Sequence, residues 1–391
     1  MKAPPRFGRA SRALWLLEEG MTFLNHGAFG ATPRAVLAEQ ARIRLTMERQ
    51  PLRFFVDEAP LATRAAAAAI AEYVGACPDD VALCENTTAG VNAVLQSFPF
   101  EPGDRVLSSN HLYPAVEKTL AYVCQRQGAS LDLAQVPCPV ESPAAVVQAF
   151  EEAITPRTRL LVVDHVTSMT ALVFPVRELI ALARSRGILV LVDGAHAPGM
   201  LPLDLPALGA TWYVGNCHKW LCAPKGSALL WANPDNHLAR QVHPPVISHA
   251  FGQPFPSEFD WVGTRDLSSW LAIPAALGFR ASLGDSAVRE WNHRLAMHAR
   301  AAVISSTGSA PAGPESMTGS MVALQVTGVT GATEALGARL RTSIWQGERI
   351  EVACPVLNGQ LYIRVSGQVY NDESEAERLS TILPRYLAPL Q

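Results

Sequence analysis

Charge is scarce in this chain, and it never gathers with one sign. Only 17% of the 391 residues are charged and the net charge is −3, with no long run of like charges. A nucleic-acid backbone calls for a basic stripe and an anionic membrane surface for a cationic helix, so neither is an expected partner. No apolar stretch reaches the roughly 18 residues of a spanning helix before charge, Gly or Pro interrupts it, and the apolar run in the opening MKAPPRFGRASRALWLLEEG is too short for a secretory signal. The expected location is the cytoplasm. Paired CxxC spacing is missing too: Cys77, Cys84, Cys124, Cys138, Cys217, Cys222 and Cys354 stand apart in odd number, which reads as reduced, mostly buried thiols. Cys217, His218 and Cys222 cluster, but no second ligand pair stands at zinc spacing, so no metal is expected. Internal repeats and low-complexity linkers are also lacking.

What the chain does have is apolar bulk. Hydrophobic residues make up 49% of it, so much must lie inside or in a subunit interface, and a homo-oligomer is expected. The length suits a large domain plus a smaller one. From about residue 80 to 231, short apolar runs alternate with helix-length amphipathic segments, and strands are expected at 81–84, 105–109, 131–136, 159–164, 188–193, 211–214 and 226–231. Runs such as LLVVD and ILVLVD lack a polar face, which predicts a mostly parallel sheet covered by helices on both sides: an α/β fold. Upstream, Thr32 before Pro33 reads as a capping hydroxyl and a pre-set first turn, and ATRAAAAAIAEYVG as a second helix. Past Trp231 comes an irregular stretch, HPPVISHAFGQPFPSEFDWVGTRD, long enough to suggest function. Helices are expected at 267–283 and 286–305, then a mobile turn at 308–314 and a small C-terminal α+β unit.

Two strand ends carry the chemistry. ILVLVDGAHAPG leaves Asp193 at the carboxyl edge of the sheet, where open α/β sheets bind ligands, though a strand-end Asp also often just caps a helix. One crossover later, TWYVGNCHKWLCAPKG ends a second strand at His218 and Lys219. Flanked by Trp220 and Leu221, that lysine is desolvated and loses proton affinity, as a Schiff-base former must. An acid facing an amine suits pyridoxal phosphate, which needs an anion at its ring nitrogen and an amine for its aldehyde. Thr87 and Thr88 in ENTTAGVNAVLQ stand at a helix start, either as a phosphate cup or as a plain cap. Tyr113, or failing it His111, could stack on the ring. Arg364, inside the apolar strand LYIRVSGQVYN, could hold an amino-acid carboxylate or form a structural salt bridge.

Taken together, FLNHGAFGATPRAV, ENTTAGVNAV, VDGAHAPG, GNCHKWLCAPKG, WVGTRDLSSWLAIPAAL and IRVSGQVYN resemble the class V aminotransferase family, and within it the isopenicillin N epimerase-like branch, over almost the whole chain. The resemblance implies a pyridoxal-phosphate-dependent transferase-like fold (fold type I). Its large domain would span residues 31–265 around a mostly parallel seven-stranded sheet, with a small C-terminal α+β domain at 266–391 and an N-terminal segment, 1–30, packed on it. It implies that Lys219 carries the cofactor as a Schiff base, Asp193 pairs with the ring nitrogen, and His196 and Ser168 lie near the ring hydroxyl. Thr88, Asn216 and His218 would hold the phosphate, and Gly263 with Thr264 would reach the phosphate of a partner in a homodimer. Tyr113 would stack on the ring, Arg364 would bind the substrate carboxylate, and Asn25, His26 and Arg53 would line the substrate side. Asn216 departs from the family's small hydroxyl, which alters the phosphate contact.

The expected reaction breaks a bond at the Cα of an amino-acid substrate, with Lys219 as general base. Epimerisation is the leading expectation; carbon–sulfur lysis, persulfide-forming desulfuration and transamination compete with it, as does, from outside the class, a non-catalytic binding relative. Lys225, in the APKG turn, is rejected as the Schiff base. Cys354 is the candidate persulfide nucleophile nearest Arg364, but IEVACPV reads as a strand end rather than a mobile loop.

Overall fold

Strands without a polar face need cover on both sides, and in the computed structural model, which describes residues 7–390, they have it. The first six residues of the N-terminal segment lie outside the described residues. The central sheet has seven strands: β1 (Val81–Cys84), β2 (Arg105–Ser109), β3 (Ser130–Ala134), β4 (Thr158–Asp164), β5 (Leu189–Asp193), β6 (Trp212–Asn216) and β7 (Ala228–Ala232). Their spatial order is β1-β7-β6-β5-β4-β2-β3, and all run one way except β7, which is antiparallel to both neighbours. Leu161, Val163, Val190 and Val192 pack into the core on one face, while Leu160, Val162, Leu191 and Val214 pack into the core on the other. Each such side chain contributes roughly 1.5–3 kcal/mol on burial.

After β2 the chain steps outward to β3 and returns across β2 to begin β4 on its other flank. That reversal opens a crevice at the carboxyl ends of the strands. Because β7 runs backwards, its amino end reaches the same edge, so the segments after β1, β2, β4, β5 and β6 and the one before β7 all converge there.

A second, antiparallel sheet is built from β8 (Ala310–Pro311), β9 (Met321–Gln325), β10 (Val356–Leu357) and β11 (Gln360–Ser366), in the order β10-β11-β9-β8. The helices Asp285–Thr307 and Glu373–Leu387 pack with it around a separate core. Strand Thr22–Phe23, near the N-terminus, pairs in parallel with Ile350–Glu351 beside that core.

Three local expectations are corrected. Thr32 caps nothing: its hydroxyl donates to the Ala223 carbonyl at 3.2 Å, and the helix begins at Arg34 with Pro33 as its N-cap. The helix expected at 267–283 is two, Ser268–Leu271 and Ile273–Leu283, since Pro274 has no N–H for the preceding turn. The turn expected to be mobile is held: Gly308 ends the long helix in the left-handed region, and Ala310–Pro311 then pairs with Leu324 and Gln325.

Candidate active site

A cavity of about 510 Å³ occupies the crevice, and its wall includes Asp193 and His196 after β5, Lys219 after β6, Asp164 at the end of β4 and Ser168 beyond it. Lys219 Nζ lies 3.1 Å from His196 Nε2, and Trp220 Nε1 donates to His196 Nδ1 at 3.4 Å. A neutral imidazole accepting at Nδ1 carries its proton on Nε2, facing the amine. Burial, reinforced by the cations at Lys219 and Arg364, pushes His196 well down, so it is neutral. Burial and then the charge of Arg364 lower Lys219 to about 7, against the pull of Asp193. Near neutral pH the amine is therefore partly unprotonated and nucleophilic. Asp193, only 3% exposed, is raised by burial and held back by the Ala195 N–H, which donates to Oδ1 at 2.9 Å, and by Lys219.

The rim beyond β1 is the start of helix Thr87–Ser97. Asn86 caps it, accepting from Ala89 N at 2.9 Å, while Thr87 N donates to Asn216 Oδ1 at 2.9 Å. Asn216 thus ties the helix start to β6, and its amide NH₂ has no partner among the described residues. Thr87 and Thr88 both line the cavity, and Thr87 Oγ1 is buried without a hydrogen-bond partner among the described residues. His218, also in the wall, sits with Nδ1 3.1 Å from the Ser227 carbonyl and is lowered to about 4, chiefly by burial. Neutral donors at a helix start make an anion site.

Tyr113 stands in the wall at the head of helix Pro114–Gln127, whereas His111 is fully buried, its Nδ1 2.8 Å from Thr170 Oγ1. Of the two ring-stacking candidates, only Tyr113 reaches the cavity. Arg364, on β11, lies behind Ser168 and outside the cavity wall: it donates to the Ser168 carbonyl and, at 3.4 Å, to Asn25 Oδ1, while its Nε has no partner among the described residues. It forms no ion pair among the described residues, which removes the structural salt bridge as its explanation, and burial lowers it to about 10.

Other expected residues fall elsewhere. His26 is fully buried beneath Lys219 rather than on the substrate side, its Nδ1 2.8 Å from Tyr370 Oη and its Nε2 3.0 Å from the Lys219 carbonyl. Ala28 and Phe29 of the same segment reach the cavity in its place. Asn25 backs Arg364 from outside the wall, and Arg53, paired with Glu58 at 3.1 Å, points away on an exposed helical turn. Gly263 and the exposed Thr264 are also outside it. Cys354 is buried away from the cavity, its thiol pushed up to about 12. Asp164 and Lys225 are among the wall residues that the sequence reading left out of the site. Asp164 closes LLVVD as Asp193 closes ILVLVD, so the same strand-end signal was available for it. Lys225, considered only as a rival Schiff base, lines the cavity with Nζ 3.1 Å from Thr32 Oγ1.

A desolvated amine and a buried acid on neighbouring strand ends meet what the aldehyde and the ring nitrogen of pyridoxal phosphate require, and the orphaned Thr87 hydroxyl fits a phosphate oxygen. The class of protein is a pyridoxal-phosphate-dependent enzyme. The model of the family Aminotransferase class-V matches residues 31–379, and the chain belongs to that family. It is 36% identical over 390 residues to isopenicillin N epimerase of Amycolatopsis lactamdurans, covering 94% of this chain and 95% of that one. It is 30% identical over 396 residues to L-cysteine desulfhydrase of Arabidopsis thaliana, covering 93% and 87%. Among solved structures, the cystine C–S lyase C-DES superposes with a TM-score of 0.81 at 20% identity, over 94% of this chain and 98% of that one.

Proposed function

We propose that this enzyme is isopenicillin N epimerase-like, taking a proton from the Cα of an amino-acid substrate and returning it with inversion. One observation carries the reading: a buried amine lowered to about 7, 3.1 Å from a neutral imidazole nitrogen, can take the Cα proton, and inversion follows when a proton is delivered to the opposite face. Bound pyridoxal phosphate supplies the electron sink that makes the Cα bond breakable. Asp193 holds the ring nitrogen, Tyr113 covers the ring, and Thr87, Thr88, Asn216 and His218 hold the phosphate. Arg364, a cation with no acid partner among the described residues, takes the substrate carboxylate beside Ser168. The near-complete mutual coverage with the epimerase supports the reading.

Carbon–sulfur lysis is the second reading, favoured by the desulfhydrase relative. A persulfide on the enzyme fits poorly, since no cysteine stands in the cavity wall among the described residues. The deciding experiment incubates the loaded enzyme with candidate amino acids in deuterated water. Exchange and inversion at Cα without fragmentation supports the epimerase; prompt pyruvate and sulfide establishes the lyase, and a keto acid the transaminase.

We further propose a homodimer. Leu52, Val56 and Leu61 are 74%, 62% and 75% exposed on one segment, and Phe29, also 74% exposed, lies at the cavity. A second copy would cover this apolar surface and bring Gly263 and Thr264 to the neighbouring site. We divide the chain at residue 265, with the N-terminal segment riding on the small unit, and place it in the cytoplasm, a location supported by its seven unpaired thiols.

A further inference from the structure

Asp164 and Asp193 are register partners on adjacent parallel strands, β4 and β5. Residues so paired project from the same face of a sheet, one strand spacing apart. Both residues are 3% exposed and both belong to the cavity wall. Their surroundings differ. Asp193 accepts from the Ala195 N–H and feels Lys219. Asp164 has only its own backbone N–H and the charge of the same lysine, and its Oδ2 is buried without a partner among the described residues. The other titratable groups nearby give no relief. His196 and His165 are driven neutral by burial, Tyr213 is held protonated, and Arg364 acts on Lys219 from behind.

Two ionised carboxylates cannot share so dry a site, and the less supported one keeps its proton. A protonated carboxyl is a donor, and an orphaned buried oxygen becomes satisfied once it carries a proton toward an acceptor. We propose that Asp164 is a neutral acid that donates a hydrogen bond to Asp193, so that the pair carries one negative charge and Asp164 positions the carboxylate that faces the cofactor ring. Only the last clause rests on the proposed cofactor geometry; the shared charge belongs to the protein alone. Burial first, and then the charge of Asp193, raise Asp164 well above the usual carboxylate range.

The test uses the full-length protein stripped of cofactor. Infrared difference spectra at neutral pH should contain the C=O stretch of a protonated buried carboxyl, and Asp164→Asn should lose it. A folded-state proton affinity above the unfolded one means stability that is present at acid pH and declines as pH rises from the carboxylate range toward neutrality. Asp164→Asn should remove that part of the melting-temperature profile. Asp164→Ser, smaller and still a donor, serves both comparisons if the amide is not accommodated. On the cofactor-loaded protein, Asp164→Asn and Asp164→Ser should leave the pH midpoint of the visible band in place, and Asp164→Leu, which removes the donor, should shift it by about one unit. A protonated-carboxyl band that survives Asp164→Asn, or superimposable stability profiles, overturns the proposal. A protein that shows both apo signatures but stays colourless with pyridoxal phosphate leaves the pair intact and sinks the cofactor reading instead.

Discussion

Replacing Arg364 with Met separates a binding cation from a structural one, because the two roles predict opposite signs for stability. The residue is 6% exposed, and among the described residues its guanidinium forms no ion pair and its Nε has no partner. Being lowered from its ordinary value to about 10 corresponds to roughly 3 kcal/mol of penalty on the folded cation at neutral pH. Against that stand its hydrogen bonds to the Ser168 carbonyl and Asn25 Oδ1, worth about 1.5–3 kcal/mol for the better of the two. Met keeps the apolar stem and drops the charge, so the melting temperature of the cofactor-free variant should be unchanged or a few degrees higher. Substrate binding should suffer instead. A buried carboxylate–guanidinium contact contributes about 1.5–3 kcal/mol, so KM should rise roughly 10- to 150-fold with a smaller change in kcat. Differential scanning fluorimetry reads the first quantity and Cα–hydrogen exchange kinetics the second. A variant that loses more than about 2 kcal/mol of stability yet keeps its KM refutes the assignment and makes Arg364 a structural residue.

Three further outcomes are expected. Lys219→Ala should abolish the visible absorption formed with pyridoxal phosphate, whereas Lys225→Ala should retain it; absorption spectra after reconstitution decide, and the reverse pattern moves the covalent link to Lys225. Only the unprotonated amine attacks the aldehyde, so with Lys219 at about 7 the initial rate of colour formation should rise nearly tenfold per pH unit below neutrality and flatten above it. A rate still climbing at pH 9 would show that the amine is not desolvated. Cys354→Ala should leave turnover within about threefold of wild type, as the thiol is buried away from the cavity and pushed up to about 12. A complete loss with retained folding would revive persulfide chemistry.

Strand ends were legible because the signal is local: an apolar run stops at a polar residue, and every expected strand of the central sheet lies within two residues of an observed one. Asp193, His218 and Lys219 followed from that, since they stand at or just past such ends and the parallel topology gathers those ends on one edge, whereas His196 and Ser168 came from the resemblance to the class V family. The segment holding Asn25 and His26 was harder. Its residues reach the site from another part of the chain, and which of them face the cavity depends on a short helix, His26–Phe29, whose orientation is set by Tyr370 and Lys219. Thr32 failed as a cap for a similar reason: its hydroxyl donates to the Ala223 carbonyl and accepts from Lys225 Nζ, and neither partner is near it in sequence.

The amino-acid order alone determined that a mostly parallel sheet would form and that an acid and an amine would end neighbouring strands, because hydrophobic periodicity and chain connectivity act over short distances. Tertiary packing decided what those groups experience: Asp164 falls in register with Asp193, Arg364 is buried without an acid partner among the described residues, and Lys219 is dry enough to lose its proton near neutrality. Register, pairing and desolvation arise from segments far apart in the chain, and no local pattern encodes them.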